Sequence, residues 1–445
     1  MAKTAAVIGG GWAGCSAAVE LASAGYKVTL FESARTLGGR ARAVEANGVM
    51  LDNGQHILLG AYTETLRLLQ LVDIDPATAL LNLPLQMRYP PLGKGMDFIA
   101  PRLPAPLHLA TALLRAKGLR GADKMSLARF STTARWMDWR LYKDCSVSEL
   151  LDRFDQTERL IALLWRPLCL AALNTPPDRA SAQVFLNVLR DSLGAHRSAS
   201  DMLLPRMDLS ALFPVAAAAY IIARGGTVRT GAKVNALSRR ESQWIVEASG
   251  SAVDGNWNAF VDVAVIANGA PASAVLLGKL GQEALATTLM AFDYEPITTC
   301  YLQYSPDTAL DLPFYALLDA PASGHWGQFV FDRGQLDAAQ AGLLAVVVSA
   351  SSEAGALDRA ALSAAIAAQL AEVFGRPELA RAQWTQVITE KRATFACTPA
   401  LERPANDVGL SGLALAGDFT AGDYPATLES AVRSGVAAAA LVRAA

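Results

Sequence analysis

Three glycines near the N-terminus, followed by one acid, have a spacing that suits close contact between backbone and ligand. Gly9, Gly11 and Gly14 fit the pattern G-x-G-x-x-G after a short apolar run, and an Ala-rich helical pattern follows them. The first glycine permits a tight turn, the second lets pyrophosphate approach the backbone, and the third lets helix and strand pack closely. Glu32 follows Gly14 by 18 residues, where a ribose-binding acid is expected. The N-terminus is therefore predicted to bind a dinucleotide.

Two further turns extend this site. Gly39 and Arg40 follow the second predicted strand, and Arg40 can supply a positive charge to pyrophosphate. Near the C-terminus, Gly417 and Asp418 end another predicted strand, where the carboxylate can accept a hydrogen bond from a ribityl hydroxyl. A helix predicted over about Pro425–Val442 would direct its positive N-terminal end at a flavin ring. The two ends of the chain together favour FAD over NAD or FMN.

The segment Asp52–His56 forms a polar turn after another predicted strand. His56 is one of only four histidines, and it lies close in sequence to the predicted cofactor segment. A histidine in this position could donate a proton to a reacting group. The simpler alternative is an exposed loop histidine, and the sequence leaves both interpretations open.

A βαβ unit must position the N-terminal motif. Strands are predicted over 4–9 and 27–32, with a helix over 15–24 between them. A helix over 209–223 and strands over 228–237, 261–267 and 413–416 share the character of a doubly wound parallel sheet. A second β-rich stretch has predicted strands over 297–304, 314–318, 328–331, 343–349 and 386–390, and a helix over 358–374.

Composition excludes several classes of protein. The net charge of −2 and the pI of about 6.1 give no sign of nucleic-acid binding. No apolar run reaches the ~18–20 residues that cross a bilayer, and no signal peptide is recognisable. The five cysteines are scattered without a C-x-x-C pair, which is typical of reduced thiols, and no metal site is predicted. We therefore expect a cytoplasmic protein.

The four motifs together resemble the glutathione-reductase-type FAD proteins of the amine oxidase and phytoene desaturase superfamily. Gly225–Val228 with Val234 resembles that superfamily's middle strand, whose backbone lies by the adenine, and Val265–Pro271 resembles its returning strand. The resemblance implies an α/β fold with a glutathione-reductase-type FAD-binding Rossmann domain and an inserted α+β substrate domain of a mixed sheet plus helices. The FAD-binding domain is expected over 1–84, 205–290 and 395–445, and the substrate domain over 85–204 and 291–394.

Within this superfamily the chain is most similar to the hydroxysqualene dehydroxylases, the squalene-associated FAD-dependent desaturase family. The segments Asp52–Tyr62, Trp165–Thr175 and Tyr294–Thr299 carry this resemblance. It implies a hydrophobic C30 isoprenoid substrate and a place in squalene or hopanoid biosynthesis. Hydride from reduced FAD would replace the allylic hydroxyl of hydroxysqualene and give squalene. No second G-x-G-x-x-G is present for NAD(P)H, so a separate electron donor is expected.

The implied reaction needs a proton donor, because hydroxyl is a poor leaving group. His56 is the first candidate, and Tyr424, which precedes the predicted flavin-facing helix, is the second. The residues expected to contact FAD are Gly9, Gly11, Trp12, Ala13, Gly14, Glu32, Ser33, Gly39, Arg40, Gly54, Gln55, His56, Val234, Gly417, Asp418, Ala426, Thr427 and Leu428.

Two other kinds of function remain open. The same scaffold carries carotenoid-type desaturation and amine oxidation, but amine oxidases usually bring a lysine towards the flavin from a central strand, and Ile297–Tyr301 contains none. A non-enzymatic prenyl-binding protein, such as the GDP-dissociation inhibitors of this fold, would lack a working FAD fingerprint. Gly9, Gly11, Gly14 and Glu32 keep that fingerprint together here.

The segment 98–130 combines leucines with cations. It carries Arg102, Arg115, Lys117, Arg120, Lys124 and Arg129 among Leu103, Leu107, Leu109, Leu113, Leu114 and Leu119, with Asp123 as an acid. Residues 85–145 hold eleven Lys and Arg against four Asp, a balance of +7 in a chain of net charge −2. This pattern favours peripheral contact with the anionic inner face of a membrane. The alternative is a helical hairpin that buries its leucines and leaves a solvated basic face.

Overall fold

A five-stranded parallel sheet lies at the centre of the fold. Alternate residues of its middle strand enter two different cores: Ala5 and Val7 pack on one face, and Ala6 and Ile8 on the other. Both faces are therefore covered, as the continuous apolar character of these strands requires. In the computed structural model, which describes residues 2–250 and 253–444, the strand order is Thr227–Thr230, Lys27–Glu32, Thr4–Ile8, Val263–Ile266 and Leu413–Leu415.

Helices cover one face of this sheet and a small antiparallel sheet covers the other. The helix Trp12–Ser23 contacts both Pro214–Ala223 and Leu428–Ala444, and all three share a core with Ala5 and Val7. The opposite face packs against residues of an antiparallel sheet. Its strands are Ala232–Arg240, Gln243–Gly250 and Val253–Val261.

A second five-stranded sheet forms a separate apolar layer. Its strand order is Phe314–Ala316, Phe329–Asp332, Leu343–Ser349, Tyr294–Gln303 and Trp384–Phe395. The predicted combination of a doubly wound parallel sheet and an α+β unit is confirmed. The expected mixed sheet is wrong in one respect, because every strand pairing in this sheet is antiparallel. The three strands Phe314–Ala316, Phe329–Asp332 and Leu343–Ser349 follow one another in the chain and pair in that order, as antiparallel strands joined by loops do.

The remaining elements surround these sheets. The other α-helices are Thr63–Leu71, Pro76–Ala79, Leu107–Arg115, Gly121–Trp136, Val147–Arg153, Glu158–Leu160, Arg166–Leu173, Ala182–Leu189, Leu209–Leu212, Ala270–Lys279, Glu283–Met290 and Arg359–Phe374, with π-helical turns at Ile161–Trp165 and Arg190–Gly194. The small sheets join Ala43–Ala46 with Val49–Asp52, Gln86–Arg88 with Asp97–Ile99, and Leu58–Leu59 and Leu80–Leu83 with Met202–Pro205. No helix in the described ranges combines the length and apolarity needed to cross a membrane.

Several element predictions were wrong in their bounds, and three of them are instructive. The helix predicted over 209–223 is two helices, because Pro214 has no N–H to continue the first one and Phe213 leaves helical geometry. The strand predicted over 228–237 is divided between two sheets at Gly231, whose φ of 67° bends the chain. The last helix begins at Leu428, so Pro425 lies before its first turn. The division into two discontinuous domains stays a prediction.

Candidate functional site

A cavity of about 1050 Å³ extends from the carboxyl ends of the parallel strands to the second five-stranded sheet. In open α/β sheets, ligands bind at this edge. Every predicted FAD contact except Gly14 lines this cavity. These residues are Gly9, Gly11, Trp12, Ala13, Glu32, Ser33, Gly39, Arg40, Gly54, Gln55, His56, Val234, Gly417, Asp418, Ala426, Thr427 and Leu428.

The glycines of the N-terminal turn serve different purposes. A Cβ on Gly14 would stand 1.8 Å from the backbone oxygen of Gly9, so the close approach of helix and strand excludes any side chain there. Gly9 has a φ of 110°, which also favours glycine. A Cβ on Gly11 would meet no protein atom closer than 3.9 Å, at Gly39. Protein packing therefore does not require Gly11 to be glycine, whereas a ligand lying against the backbone in the cavity would.

Backbone donors hold the Glu32 carboxylate at the end of the second strand. Its Oε2 accepts a hydrogen bond from Gly10 N and its Oε1 accepts one from Ala34 N, both at 2.7 Å. The Ser33 hydroxyl donates to the same Oε1 at 3.2 Å. The indole N–H of Trp12 donates to the backbone oxygen of Ala41 at 3.0 Å. Glu32 thus has a fixed position beside the N-terminus of the first helix.

Arg40 and Asp418 join the two ends of the chain within the cavity wall. An Arg40 guanidinium nitrogen donates to Asp418 Oδ1 at 2.5 Å, and the other donates to Ala393 O at 2.7 Å. We expected Arg40 to meet pyrophosphate and Asp418 to meet a ribityl hydroxyl. The structure instead pairs these two side chains with each other, while both still line the cavity. Asp418 can therefore orient Arg40 as well as contact a ligand.

The last helix begins at the cavity with a capped N-terminus. Thr427 Oγ1 accepts a hydrogen bond from Ser430 N at 3.1 Å, so Thr427 takes the N-cap position. The start of the helix lies behind Ala426 and Leu428, which line the cavity with Thr427. The predicted positive helix end is thus present, although it begins later than expected.

His56 lies half-buried in the cavity wall. Its Nδ1 is 2.7 Å from Gly54 O, which can only accept, so Nδ1 must carry a proton. Burial lowers the pKa of His56 below its usual 6.5 by more than the hydrogen bond to Gly54 raises it, and the positive charge of Arg40 lowers it further. The imidazole is therefore neutral at pH 7, with Nε2 as an acceptor.

Tyr424, like Gly14, is a predicted site residue that does not line the cavity. Its hydroxyl donates to Asp191 Oδ2 at 2.6 Å, and it is not among the lining residues. Burial, together with this hydrogen bond, raises the pKa of Tyr424 to about 12. A phenol engaged in this way is a poor proton donor for a reaction in the cavity, so the geometry favours His56.

Sequence reasoning missed Asn268, which lines the cavity, and Thr299, which lies beside Gly54. Within the described residues, Asn268 Oδ1 and Thr299 Oγ1 are buried without a hydrogen-bond partner, and so is Gln55 Nε2. Buried polar groups usually have hydrogen-bond partners, so these three atoms are exceptions. Arg333, which bonds Gln55, was also missed. No sequence signal marks Thr299 or Arg333, because their relation to the site depends on contacts between distant segments.

The residues present fit FAD. The open face of Gly11, the fixed carboxylate of Glu32 and the capped N-terminus at Thr427 provide a backbone cradle, a ribose acceptor and a positive helix end along one cavity. When bound, FAD would supply hydride chemistry at the flavin ring.

Comparison with known proteins agrees with this geometry. The family model described as flavin containing amine oxidoreductase matches residues 12–443. The chain is 30% identical to the hydroxysqualene dehydroxylase of Rhodopseudomonas palustris, over 100% of this chain and 99% of that protein. It is 24% identical to a zeta-carotene desaturase of Arabidopsis thaliana, over 97% of this chain and 83% of that protein.

A solved structure shows the same fold. An oxidoreductase from Methanosarcina mazei superposes with a TM-score of 0.73 at 17% identity, covering 98% of this chain and 99% of that one. The match to the flavin-containing family model confirms the predicted cofactor, FAD. The chain belongs to the flavin containing amine oxidoreductases, and within them to the hydroxysqualene dehydroxylase family of FAD-dependent oxidoreductases.

Proposed function

We propose that the protein converts hydroxysqualene to squalene by reductive dehydroxylation. The observation that carries this proposal is the full-length similarity to a hydroxysqualene dehydroxylase, which covers the FAD motifs and the second sheet alike. Beyond the residues expected to contact FAD, the cavity continues into an apolar region. That region is lined by Ile297, Phe329, Phe331 and Val347, which suit a hydrocarbon chain.

The reaction balances with one hydride and one proton. The allylic carbon–oxygen bond breaks, a carbon–hydrogen bond forms from the hydride, and the leaving oxygen takes up the proton and departs as water. Protonation of His56 at Nε2 would make it the donor, and Gly54 O would hold the ring in place. Each turnover removes two electrons from reduced FAD, so a separate electron donor must return them.

Carotenoid-type desaturation is the second candidate, because a zeta-carotene desaturase also matches nearly the whole chain. It would run in the opposite redox direction, with FAD as the acceptor. Amine oxidation is less well supported, because the strand Tyr294–Gln303 carries no lysine.

An anaerobic single-turnover experiment separates these candidates. We expect the photoreduced, FAD-loaded protein to become oxidised when hydroxysqualene is added and to form one squalene per FAD. Unchanged flavin absorbance without squalene would overturn the proposal. Reduction of the oxidised protein by a carotene, with formation of a new double bond, would support desaturation instead.

We also propose that the segment 98–130 docks on an anionic membrane surface. Leu103, Leu107 and Leu114 are exposed, Leu114 by 75%. Leu113 and Leu119 pack partly against the core, which accounts for only some of the predicted leucines. Around them the exposed cations are Arg102, Arg115, Lys117, Arg120 and Arg129.

The helix Gly121–Trp136 extends this surface. Met125, Arg129 and Trp136 recur at intervals of four and seven residues, so they share one exposed helix face, where Trp136 is 87% exposed. The acid of the segment, Asp123, is buried and caps this helix through Arg120 N. An exposed surface with leucines, a tryptophan and several cations fits peripheral contact with anionic lipid. Such contact would give the enzyme access to a substrate that dissolves in lipid.

A further inference from the structure

A second cavity, of about 440 Å³, lies beside the segment 98–130 and shares no lining residue with the FAD cavity. Three parts of the chain form its wall. One is the hairpin between the strands Gln86–Arg88 and Asp97–Ile99, and another is the turn at Lys117 and Gly118 that follows the helix Leu107–Arg115. The third part, between residues 311 and 315, leads into the strand Phe314–Ala316 of the second five-stranded sheet.

Two glycines bring the hairpin and the turn into close contact and fix the shape of this cavity. A Cβ on Gly118, whose φ is 80°, would stand 2.4 Å from Gly95 O. A Cβ on Gly95 would in turn stand 2.1 Å from Cγ of the Tyr89 ring. Beside this contact, Asp97 and Lys117 exchange two backbone hydrogen bonds of 3.1 Å each. No side chain fits between the two segments, so the backbone holds the cavity wall in place.

The Tyr315 hydroxyl offers this cavity a hydrogen-bond donor that the protein does not use. Tyr315 is only 5% exposed and lines the cavity. Burial raises the pKa of Tyr315, Asp311 and Asp97 raise it as well, and Arg88 lowers it, so the hydroxyl lies among charged residues of the same wall. Within the part of the chain that the structure describes, this hydroxyl makes no hydrogen bond, although it is not fully buried. It can therefore donate to a ligand in the cavity.

The charges of the cavity wall favour an anion. Arg88 and Asp97 neutralise each other through an ion pair of 2.7 Å. Lys94 and Lys117 are exposed and form no ion pair with any described residue. The remaining acid is Asp311, which is exposed to solvent. Two unpaired cations thus face one unpaired carboxylate, and a lysine ammonium beside a hydroxyl donor suits a phosphate group.

Exposed apolar side chains lie next to these cations. Leu92, which is 62% exposed, lies in the same loop as Lys94. Ile99, which is 37% exposed, shares a strand face with Asp97, because alternate side chains of a strand point the same way. Leu114, which is 75% exposed, precedes Lys117 by three residues. A polar cavity with such an apolar rim matches a ligand that joins an anionic group to hydrocarbon chains.

We propose that the second cavity binds the headgroup phosphate of an anionic phospholipid, with Lys94 and Lys117 paired to the phosphate and the Tyr315 hydroxyl donating to it. This inference rests on the proposed membrane docking and names the lipid group that the docking surface recognises. General attraction between cations and an anionic surface does not depend on a neutral hydroxyl. A headgroup site, in contrast, is saturable and loses affinity when that hydroxyl is removed.

The test is calorimetric titration of the FAD-loaded protein with dihexanoyl phosphatidylglycerol below its critical micelle concentration. We expect saturable binding of one lipid per chain. Tyr315→Phe and Lys94→Gln should each lower the affinity by about twofold to tenfold, the effect of one net hydrogen bond. Asp311→Asn should raise the affinity by about twofold, because it removes a charge of the same sign as the phosphate. The exposed controls Tyr142→Phe and Lys27→Gln should bind as the wild type does.

Thermal unfolding separates a binding role of Tyr315 from a structural one. Because its hydroxyl has no partner among the described residues, Tyr315→Phe should unfold at the wild-type temperature without lipid. Added short-chain lipid should raise the unfolding temperature of the wild type more than that of Tyr315→Phe. A lower unfolding temperature of Tyr315→Phe without lipid would show that the hydroxyl serves the fold, and this would contradict the inference.

Failure of the inference and failure of membrane docking can be told apart. If the protein pellets with anionic vesicles but the wild type does not bind the short-chain lipid, or both variants bind it as the wild type does, the inference is wrong and docking stands. If the wild type neither pellets with anionic vesicles nor binds the lipid, docking fails as well. Inorganic phosphate is the probe for a site of free anions, and binding as tight as that of the lipid would overturn the inference. Equally tight binding of dihexanoyl phosphatidylcholine, which has no net charge, would also overturn it.

Discussion

Gly11 and Gly14 need to be glycine for different physical reasons, and substitution can separate them. We expect Gly11→Ala to fold with wild-type stability but to lose FAD, because Gly11 lines the cavity and its Cβ would meet no protein atom closer than 3.9 Å. We expect Gly14→Ala to be destabilised by about 1–3 kcal/mol or more, because its Cβ would overlap the Gly9 carbonyl. Flavin absorbance and thermal unfolding measure the two effects.

A control substitution completes this experiment. Gly121 lies at the start of another helix with open space around it, so Gly121→Ala should retain both FAD and stability. Full FAD loading in Gly11→Ala would mean that the dinucleotide does not lie against this backbone.

His56 should make the chemical step depend on pH with a definite sign. Its pKa lies below the usual 6.5, so the imidazole is neutral at pH 7 and must gain a proton before it can donate one. We therefore expect the single-turnover rate to rise as the pH falls through the lowered pKa. In His56→Gln the rate should be about 10²–10⁴-fold lower, the usual contribution of an acid catalyst, and should lose this dependence.

Tyr424→Phe provides the matched comparison for His56→Gln. Its hydroxyl is bonded to Asp191 outside the cavity, so turnover and its pH dependence should remain as in the wild type. An unchanged rate in FAD-loaded His56→Gln would remove His56 from the mechanism, and a large loss in Tyr424→Phe would restore Tyr424 as a candidate.

The residues expected to contact FAD could be predicted from the sequence. Each lies in a short motif, and the local backbone geometry of that motif explains the residue type. Gly11 and Glu32, for example, belong to one turn and one strand end within a single βαβ unit. Thr299 and Arg333 could not be predicted in this way. Each contacts the turn after Asp52 from a distant part of the chain, and nothing in its immediate sequence marks that contact.

The last helix and the helix Thr63–Leu71 are coupled through one buried carboxylate. Glu429 is 1% exposed, and its oxygens accept hydrogen bonds from Glu64 N and from the N–H and hydroxyl of Thr65. Arg433 Nε donates to it at 2.7 Å. A carboxylate in this position satisfies free N–H groups and also interacts favourably with the helix dipole.

Glu429→Ala should therefore lower the free energy of unfolding by about 2–4 kcal/mol, because it leaves buried N–H groups without an acceptor. The comparison is Glu64→Ala, which removes an exposed ion pair with Arg67 and should cost about 0–1 kcal/mol. Urea denaturation of the two FAD-loaded variants provides the measurement. Equal effects would show that the buried carboxylate does not hold the two helices together.

Element boundaries were harder to predict than element types. Apolar periodicity runs through Pro214 without interruption, so it predicted one helix where the structure has two. It also runs through Gly231, where it predicted one strand and the structure has two. Backbone geometry at a single residue decided the outcome in both places. The antiparallel order of the second sheet also depends on which strands pair, and that is a property of the assembled molecule.

At the scale of the whole molecule, exposed cations and exposed apolar side chains lie on the same surface. The chain has a net charge of −2, yet the basic surface between residues 98 and 130 has exposed leucines among its cations. Exposed leucines singly are normal on a protein surface, but a group of them beside several cations is what the proposed membrane contact requires. A basic face formed only for solvation would have no need of an exposed Leu114 or Trp136.

The membrane proposal predicts how binding to vesicles should change. FAD-loaded protein should pellet with vesicles that contain anionic lipid and much less with neutral ones, and added salt should weaken binding because it screens the charges. Each cation near the surface contributes roughly 1 kcal/mol, so replacing Arg115, Lys117 and Arg120 by Glu should reduce binding about a hundredfold or more. Replacing exposed Lys27, Arg359 and Arg381 by Glu changes the net charge equally and should have little effect.

Leu107→Ser with Leu114→Ser should weaken the binding that remains at high salt, because that part depends on apolar contact. Equal pelleting with neutral and anionic vesicles, or equal losses in the two charge-reversal variants, would contradict docking through this surface.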